Sequence, residues 1–420
     1  MKVAHLLRKY NPLEWGGTET ALHRLCEGFR YNGVESVVYC PKLPVAVAAR
    51  DPLVEAGCTV KRFNACVPIW GLPEERKRQM VAVGGNLMSF ELIRSLWQEP
   101  KLEVIHAHAS GRIGAIGRLV ARRRGIPFLF TTHGGLYDMP VALQQNLSTA
   151  TQRGWEWGKL FGMLLKTRTL MFQCDAIVTC NDREAAAVRV RHPAQRVVVQ
   201  PHGVSAHLYQ VDKRTEAEEA FPQIRGREIL LSVGRIDPIK NQSFLIGQLP
   251  ELVRRHPKLL LVLAGASTDQ VYSLELERQI DRLGLRQQVL LTGGLPPAHP
   301  RLLGLLQSAR AVVMQSTSET FGLVILEAWA AGTAVISSRT SGAAGLIERD
   351  KTGLLFDLDR PEDFQTGIDR IWSSPGFAAY LAASGRQRVV EAYDTRVLAD
   401  RMKRLYEELI EEKNALRYSA

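Results

Sequence analysis

Short β-rich runs, each followed by an amphipathic helical stretch, recur along the whole 420-residue chain, and this rhythm constrains the fold more than any other feature. In the first half Val3–Leu7, Val34–Cys40, Cys58–Phe63, Val104–Ala107, Pro127–Thr132, Ala176–Cys180 and Val197–Val199 read as strands. In the second half Glu228–Val233, Leu259–Ala264, Val289–Leu291, Ala311–Met314, Ala334–Ser337 and Thr352–Phe356 do so. Helices are expected between them, among them one from Thr18 to about Arg30, one over Lys77–Gln98, one over Gly111–Arg124 and one over Leu147–Phe172. Such alternation predicts an α/β fold with mostly parallel sheets. The length suits two domains, and the charged, weakly periodic stretch around Tyr209–Gln223 is the best boundary.

Composition narrows the class. A hydrophobic content of 45% supports real cores, and a formal charge of +11 favours an anionic ligand or an anionic surface, such as a lipid headgroup or a phosphorylated acceptor. No zinc finger, RRM-like aromatic pattern or long basic arm is present, so nucleic acid is not expected as a partner. The six cysteines show no CxxC spacing. Reduced thiols in a cytoplasmic protein and no metal site are expected. The apolar N-terminal stretch is too short for a signal peptide, and no uninterrupted apolar run would span a bilayer.

The chemistry-bearing residues fall at predicted strand ends, where open α/β sheets bind ligands. After the first strand comes N-P-L-E-W-G-G-T-E-T, in which Gly16 and Gly17 permit a tight turn and Thr18 could cap the next helix. A strand, a glycine loop and a helix bring backbone N–H groups toward an anion, but the dinucleotide GxGxxG spacing is missing. His106, His108 and His133 lie near strand ends. His133, beside Gly134 and Gly135, is the best candidate for substrate contact, with Asp138 the carboxylate that could orient it.

In the second half, G-R-I-D-P-I-K-N places Arg235 and Lys240 in a loop after a strand, a pair suited to a phosphate or diphosphate. Ser316 to Gly332, S-T-S-E-T-F-G-L-V-I-L-E-A-W-A-A-G, carries Glu319 in a polar turn and Glu327 inside an apolar helix. Buried carboxylates are rare without a partner, so two of them around a glycine turn indicate a ligand edge. Trp155, Trp157, Leu160, Phe161, Leu164 and Leu165 form an apolar face opposite Lys159, Lys166 and Arg168. A helix packed on the sheet is the favoured reading of this segment, and a basic membrane-contact helix is the alternative.

Together the glycine loop, G-R-x-x-x-x-K and E-x7-E resemble the retaining glycosyltransferases of family 4 (glycosyl transferases group 1), which have the GT-B fold. The most specific part is E-T-F-G-L-V-I-L-E-A-W-A-A-G-T-A-V-I, followed by T-G-L-L-F. The resemblance implies two Rossmann-like domains facing each other across a cleft. Residues 1–208 would form the acceptor domain, 209–227 a linker, 228–395 the nucleotide-sugar domain, and 396–420 a helix crossing back to the first domain. It implies that Glu327 holds the nucleotide ribose and that Glu319 lies beside the sugar hydroxyls. Arg235 and Lys240 would meet the donor diphosphate, with Gly16 and Gly17 near it. Thr320, Phe321, Gly322 and Leu323 would cradle sugar and phosphate, and His133 would approach the sugar. Thr320 stands where the family more often has glycine.

The expected function is transfer of a hexose, with retention, from a nucleoside-diphosphate sugar (UDP or GDP favoured, ADP open) to a hydroxyl of a saccharide or lipid-linked acceptor. No tightly bound cofactor is expected. The expected setting is polysaccharide biosynthesis in the cytoplasm, with peripheral contact to the inner face of an anionic membrane left open. A sugar-nucleotide epimerase or hydrolase of the same fold, or a non-catalytic sugar-nucleotide-binding protein, is the alternative.

Overall fold

The structure, a computed structural model, describes residues 1–12, 16–43, 50–83, 85–133, 156–296 and 298–418. Internal contacts divide the chain into two compact units, one formed by Met1–His202 with Thr395–Ala420 and the other by Gly203–Asp394.

The first unit is built on a parallel sheet of seven strands: β1 (Lys2–Leu6), β2 (Glu35–Pro41), β3 (Thr59–Phe63), β4 (Val104–Ala107), β5 (Phe128–Thr131), β6 (Ala176–Thr179) and β7 (Val197–Val199). Their order is β3-β2-β1-β4-β5-β6-β7, so the direction of winding reverses between β1 and β4. Side chains alternate along each strand. Ala4, Leu6, Ile105 and Ala107 therefore join a cluster on one face with Ile113 and Ile116 of the helix Gly111–Arg124. Val3, Val104 and Leu129 join a cluster on the other face with Phe29, Ala399, Met402 and Tyr406.

That second face is covered by the helices Gly17–Phe29 and Thr395–Tyr418. Their close approach requires glycine at position 28, where a Cβ would lie 2.3 Å from the Thr395 carbonyl oxygen. Ion pairs of Lys413 with Asp175 and of Arg196 with Glu412, at 2.6 and 2.9 Å, hold the outer part of the C-terminal helix.

The second unit has six parallel strands: β8 (Glu228–Val233), β9 (Leu259–Ala264), β10 (Val289–Gly293), β11 (Ala309–Met314), β12 (Ala334–Ser338) and β13 (Leu354–Phe356), in the order β10-β9-β8-β11-β12-β13. Here the reversal falls between β8 and β11. The helix Leu323–Ala330 is apolar nearly all round and correspondingly buried. Trp329 is fully buried against Gly385 of the helix Pro375–Arg388, and its Nε1 donates to the Thr352 carbonyl at 2.8 Å.

Several predicted elements differ. The helix expected over Lys77–Gln98 is two helices, Glu74–Val83 and Phe90–Gln98. The break contains Asn86 at φ 52°, and the Ser89 hydroxyl caps the second helix by accepting from the Leu92 N–H. The N-cap of the first helix is Gly16 rather than Thr18. The stretch 209–227, which reads as a linker, carries the helix Arg214–Ala220. Gly304 allows this helix to approach closely, since a Cβ there would lie 2.0 Å from the Lys213 carbonyl.

Of the helix expected over Leu147–Phe172, residues 147–155 lie outside the described residues. The rest is a short helix, Gly158–Leu164, and a 3-10 helix, Thr167–Gln173. The expectation that this segment packs its apolar face on the sheet holds only in part: Leu165 and Met171 pack against the core cluster of the first unit, in which Leu170 is buried. Phe161 packs edge-on against Trp157 and Phe90, but Leu160, Met163 and Leu164 are exposed. The six cysteines are free thiols, five of them buried. Among the described residues no helix is long and apolar enough to cross a membrane.

Candidate functional site

The reversal in each sheet opens a crevice at the carboxyl ends of two diverging strands, and most of the sequence-predicted site residues lie at one of these two places. In the second unit β8 runs into Gly234 and Arg235, and β11 into Gln315 and Ser316. Gly234 sits at φ 151°, and a Cβ on Gly265 would fall 1.8 Å from the Gly234 carbonyl oxygen. The backbone of this loop is therefore pressed against the end of β9.

Asp237 organises the loop. Its carboxylate pairs with the Arg235 guanidinium at 3.1 Å and accepts from the Lys240 backbone N–H at 3.0 Å. The Gln242 side chain donates to the Arg235 carbonyl at 2.8 Å. Gln315, itself a partner of the Ser232 hydroxyl, donates to the Lys240 carbonyl. The Arg235 side chain is left 60% exposed, available to an incoming group.

Lys240 crosses to the other side of the crevice, where its ammonium lies 2.5 Å from the Glu319 carboxylate. The Glu319 carbonyl is fixed by the Gly342 N–H at 2.9 Å and the Ser341 hydroxyl at 3.1 Å. A Cβ on Gly342 would lie 2.6 Å from the Phe321 backbone, so the helix Ser341–Leu346 is held tightly against the turn. Thr320 and Phe321 lead to Gly322, whose φ of 94° lets the chain turn into Leu323 and the helix Leu323–Ala330. Glu327, 7% exposed, is buried in that helix. Arg235, Lys240, Glu319, Thr320, Phe321, Gly322 and Leu323 thus belong to one crevice, with Glu327 on the helix that leaves it.

In the first unit a cavity of about 180 Å³ is lined by Leu7, Arg8 and Lys9 after β1, by Gly16, Gly17, Thr18 and Glu19, and by His108 after β4. Glu19 turns back to accept from the Gly16 N–H at 3.0 Å, the capping-box geometry. Two cations and a helix N-terminus around one cavity favour an anionic or strongly polar group.

Next to the cavity is a cluster of histidines. His5 pairs in register with His106 across β1 and β4, on the face covered by the C-terminal helix. The two nitrogens of His106 contact the Tyr406 and Thr131 hydroxyls, each at 2.6 Å. His108 bridges His5 at 3.1 Å and His133 at 2.8 Å. His133, in the left-handed region at φ 54°, stacks on His202 at 5.4 Å between ring centroids.

Removal from water pushes all five imidazoles below their ordinary range, His5 to about 3 and His202 to about 4, with neighbouring histidines or Arg24 adding to the effect around all but His5. They are neutral at pH 7. His5, His106 and His108 bring ring nitrogens within 4.8 Å of one another, a spacing that could hold a metal ion. Each nitrogen of His106 already faces a hydroxyl, however, and His108 is committed at both of its own.

Sequence reasoning singled out His106, His108 and His133 but missed His5, Arg8, Lys9, Asp237 and Gln315. The strand-end position of Arg8 and the D-P within G-R-I-D-P-I-K-N were usable signals. The His5–His106 pairing depends on strand register and had none. Gly134, Gly135 and Asp138 lie outside the described residues.

Comparison with known proteins follows the same division. The family model described as Glycosyl transferase 4-like domain matches residues 16–203, and that of Glycosyl transferases group 1 matches residues 213–388. D-inositol 3-phosphate glycosyltransferase of Rhodococcus erythropolis is 28% identical over 401 residues, 91% of this chain and 86% of its own. The protein of that name from Segniliparus rotundus is 26% identical over 329 residues, 77% of this chain and 69% of its own.

Among solved structures, Anabaena HepE in complex with UDP superposes with a TM-score of 0.72 at 18% identity, covering 97% of this chain and 100% of its own. Sucrose-phosphate synthase from Thermosynechococcus elongatus gives 0.72 at 21% identity, covering 98% and 99%. These likenesses show the fold, two parallel-sheet α/β units of the GT-B class. The chain joins a glycosyl transferase 4-like domain to a glycosyl transferases group 1 domain, and it is a glycosyltransferase.

Proposed function

We propose that this glycosyltransferase moves a hexose, with retention of configuration, from a nucleoside-diphosphate sugar to a hydroxyl of a saccharide or lipid-linked acceptor. The observation that carries the reading is the Lys240–Glu319 pair at the winding reversal of the second sheet, with the exposed Arg235 beside it. The diphosphate is then met by Arg235, Lys240 and backbone N–H groups of Thr320, Phe321, Gly322 and Leu323, where the helix terminus adds positive potential. Glu327 takes the ribose and Glu319 the sugar hydroxyls. Gly16, Gly17 and His133 contribute from the acceptor domain, His133 near the sugar. A UDP or GDP donor fits. The structural neighbour complexed with UDP-glucose supports UDP, and the phosphorylated inositol in the relatives' name supports a polar acceptor beside Arg8 and Lys9.

In this mechanism charge develops on the departing diphosphate, and the two fixed cations and oriented backbone dipoles compensate it. Glu319 positions the sugar, the acceptor attacks from the side of the leaving group, and the departing phosphate oxygen takes the acceptor's proton. A donor panel read by product mass and anomeric NMR tests the reading. The expected product keeps the donor's anomeric configuration and forms only with acceptor. An inverted product sinks retention, and donor breakdown or epimerisation without acceptor favours a hydrolase or epimerase. A covalent sugar adduct trapped on Glu319 would replace same-face attack by double displacement.

A peripheral position at the inner face of the membrane is part of this proposal. Leu160, Met163 and Leu164 are exposed on one short helix with Lys159 and Lys166 nearby, the pairing that favours an anionic lipid interface. Sedimentation with anionic vesicles is expected to carry the chain down, and Leu160→Asp with Leu164→Asp to release it. Equal recovery with and without anionic lipid removes the membrane from the proposal.

A further inference from the structure

We infer that His5, His108 and His133 form a polarised chain of neutral imidazoles, in which His108 is a positioning residue that holds His133 as its Nδ1–H tautomer. The inference rests on the reading that places His133 near the donor sugar, and it says what His133 offers there, a hydrogen-bond donor.

The geometry leaves few choices. His108 Nδ1 faces His133 Nε2 at 2.8 Å, and His108 Nε2 faces His5 Nδ1 at 3.1 Å. A neutral imidazole has one donor and one acceptor nitrogen, so the two links must point the same way along the chain. Among the described residues the only nitrogens of the three rings without a partner are the two ends, His5 Nε2 and His133 Nδ1, both buried.

If protons pointed inward, from His133 through His108, an N–H would be stranded on His5 Nε2. That ring stacks on Phe29 in the apolar layer beneath the C-terminal helix. An orphaned buried N–H is rarer and more costly than an orphaned acceptor. With protons pointing outward, His5 Nδ1–H donates to His108, His108 Nδ1–H donates to His133, and the spare N–H is His133 Nδ1. That atom is also buried without a partner among the described residues, but its ring is partly exposed at the carboxyl edge of the sheet, where the proposed sugar can meet it, whereas His5 is enclosed by apolar groups. The ring of His106 packs 4.3 Å from that of His108 and is itself clamped by Tyr406 and Thr131, which fixes the middle ring in place.

Free imidazole side chains favour the Nε2–H form, so the chain forces the less common tautomer on His133, and this is measurable without turnover. The full-length protein, labelled with 15N-histidine, is examined by long-range 1H–15N correlation at pH 7.5, with resonances assigned through single His→Gln variants. Expected is an Nδ1–H His133 in the wild type. His108→Leu should move it toward Nε2–H, and His108→Gln, which can still accept and donate, should restore it. An Nε2–H His133 in the wild type, or a tautomer indifferent to His108→Leu, overturns the inference. So does zinc bound stoichiometrically by the wild type and lost in His106→Gln, since a metal would claim the nitrogens that build the chain. Donor turnover of His133→Ala answers the separate question: unchanged turnover removes His133 from the sugar while leaving the tautomer result standing.

Discussion

Glu319→Gln lowers kcat about 10²-fold, the size expected when a positioning group is lost, while the dissociation constant for the nucleoside diphosphate stays within a few-fold of wild type. The reason lies in the 2.5 Å pair between Lys240 and Glu319. The carboxylate and the diphosphate compete for the same ammonium, so a neutral side chain at 319 leaves Lys240 at least as available to phosphate as before. What is lost is the charged acceptor for sugar hydroxyls.

Glu327→Ala has the opposite signature. A hydrogen bond to a charged group is worth about 1.5–3 kcal/mol, so loss of the ribose contact weakens donor binding about 10- to 150-fold with a smaller change in saturated turnover. Calorimetric titration with UDP and GDP, beside initial rates over a donor series, measures both. If Glu319→Gln weakens donor binding more than Glu327→Ala does, the two roles are assigned the wrong way round.

The second large effect is acid lability confined to the first unit. Unfolded histidines titrate near 6.5, whereas burial depresses His5 to about 3 and His202 to about 4 and holds His106, His108 and His133 well below 6.5. Above pH 6.5 neither state binds these protons and the stability is complete. Below it the unfolded state takes up protons that the folded state refuses, and stability falls until the folded groups themselves titrate. Each such group contributes a slope of about 1.4 kcal/mol per pH unit. The three rings of the buried class, His5, His106 and His108, therefore give about 4 kcal/mol per unit, against a total of about 5–15 kcal/mol for a typical domain. Hydrogen exchange between pH 7 and 5 is expected to show the first unit opening as the pH falls while the second changes little. Equal protection of the first unit at both ends of that range would show that the histidines are not held neutral by the fold.

Much of this arrangement was legible in the sequence because it rests on short-range signals. Strands β4, β7, β8 and β9 read out to the residue, since each is an apolar run closed by a charged, glycine or polar turn. G-R-x-x-x-x-K and E-x7-E mark the second crevice because both strand ends are read by the loops that immediately follow them. The histidine chain was only half visible. His106 and His108 stand out as H-A-H, but His5 joins them through a register between β1 and β4 about a hundred residues apart. Tyr406 comes from the far end of the chain. The break at Asn86 was legible and was missed: Gly84, Gly85 and Asn86 are helix breakers and Ser89 a capping residue, and the apolar spacing on either side was read through them. The exposure of Leu160 and Leu164 depends on which side of a short helix meets its neighbours, and periodicity alone does not say.

The two passages between the units also determine the order in which the protein can be completed on the ribosome. Val204, next to the first residue of the second unit, and Asp394, its last, are bridged to each other, and the Val204 N–H donates to the Tyr393 carbonyl at 2.9 Å. The second unit is thus a self-contained insertion whose ends meet, and all of it is synthesised before the helix Thr395–Tyr418. Until that helix arrives, Val3, Val104 and Leu129 lack the cover that Ala399, Met402 and Tyr406 provide. The half of the protein that is synthesised first is therefore the half that finishes last, and a chain interrupted just before Thr395 would carry a mature insertion beside a partner with an open apolar face, the kind of surface on which nascent chains aggregate.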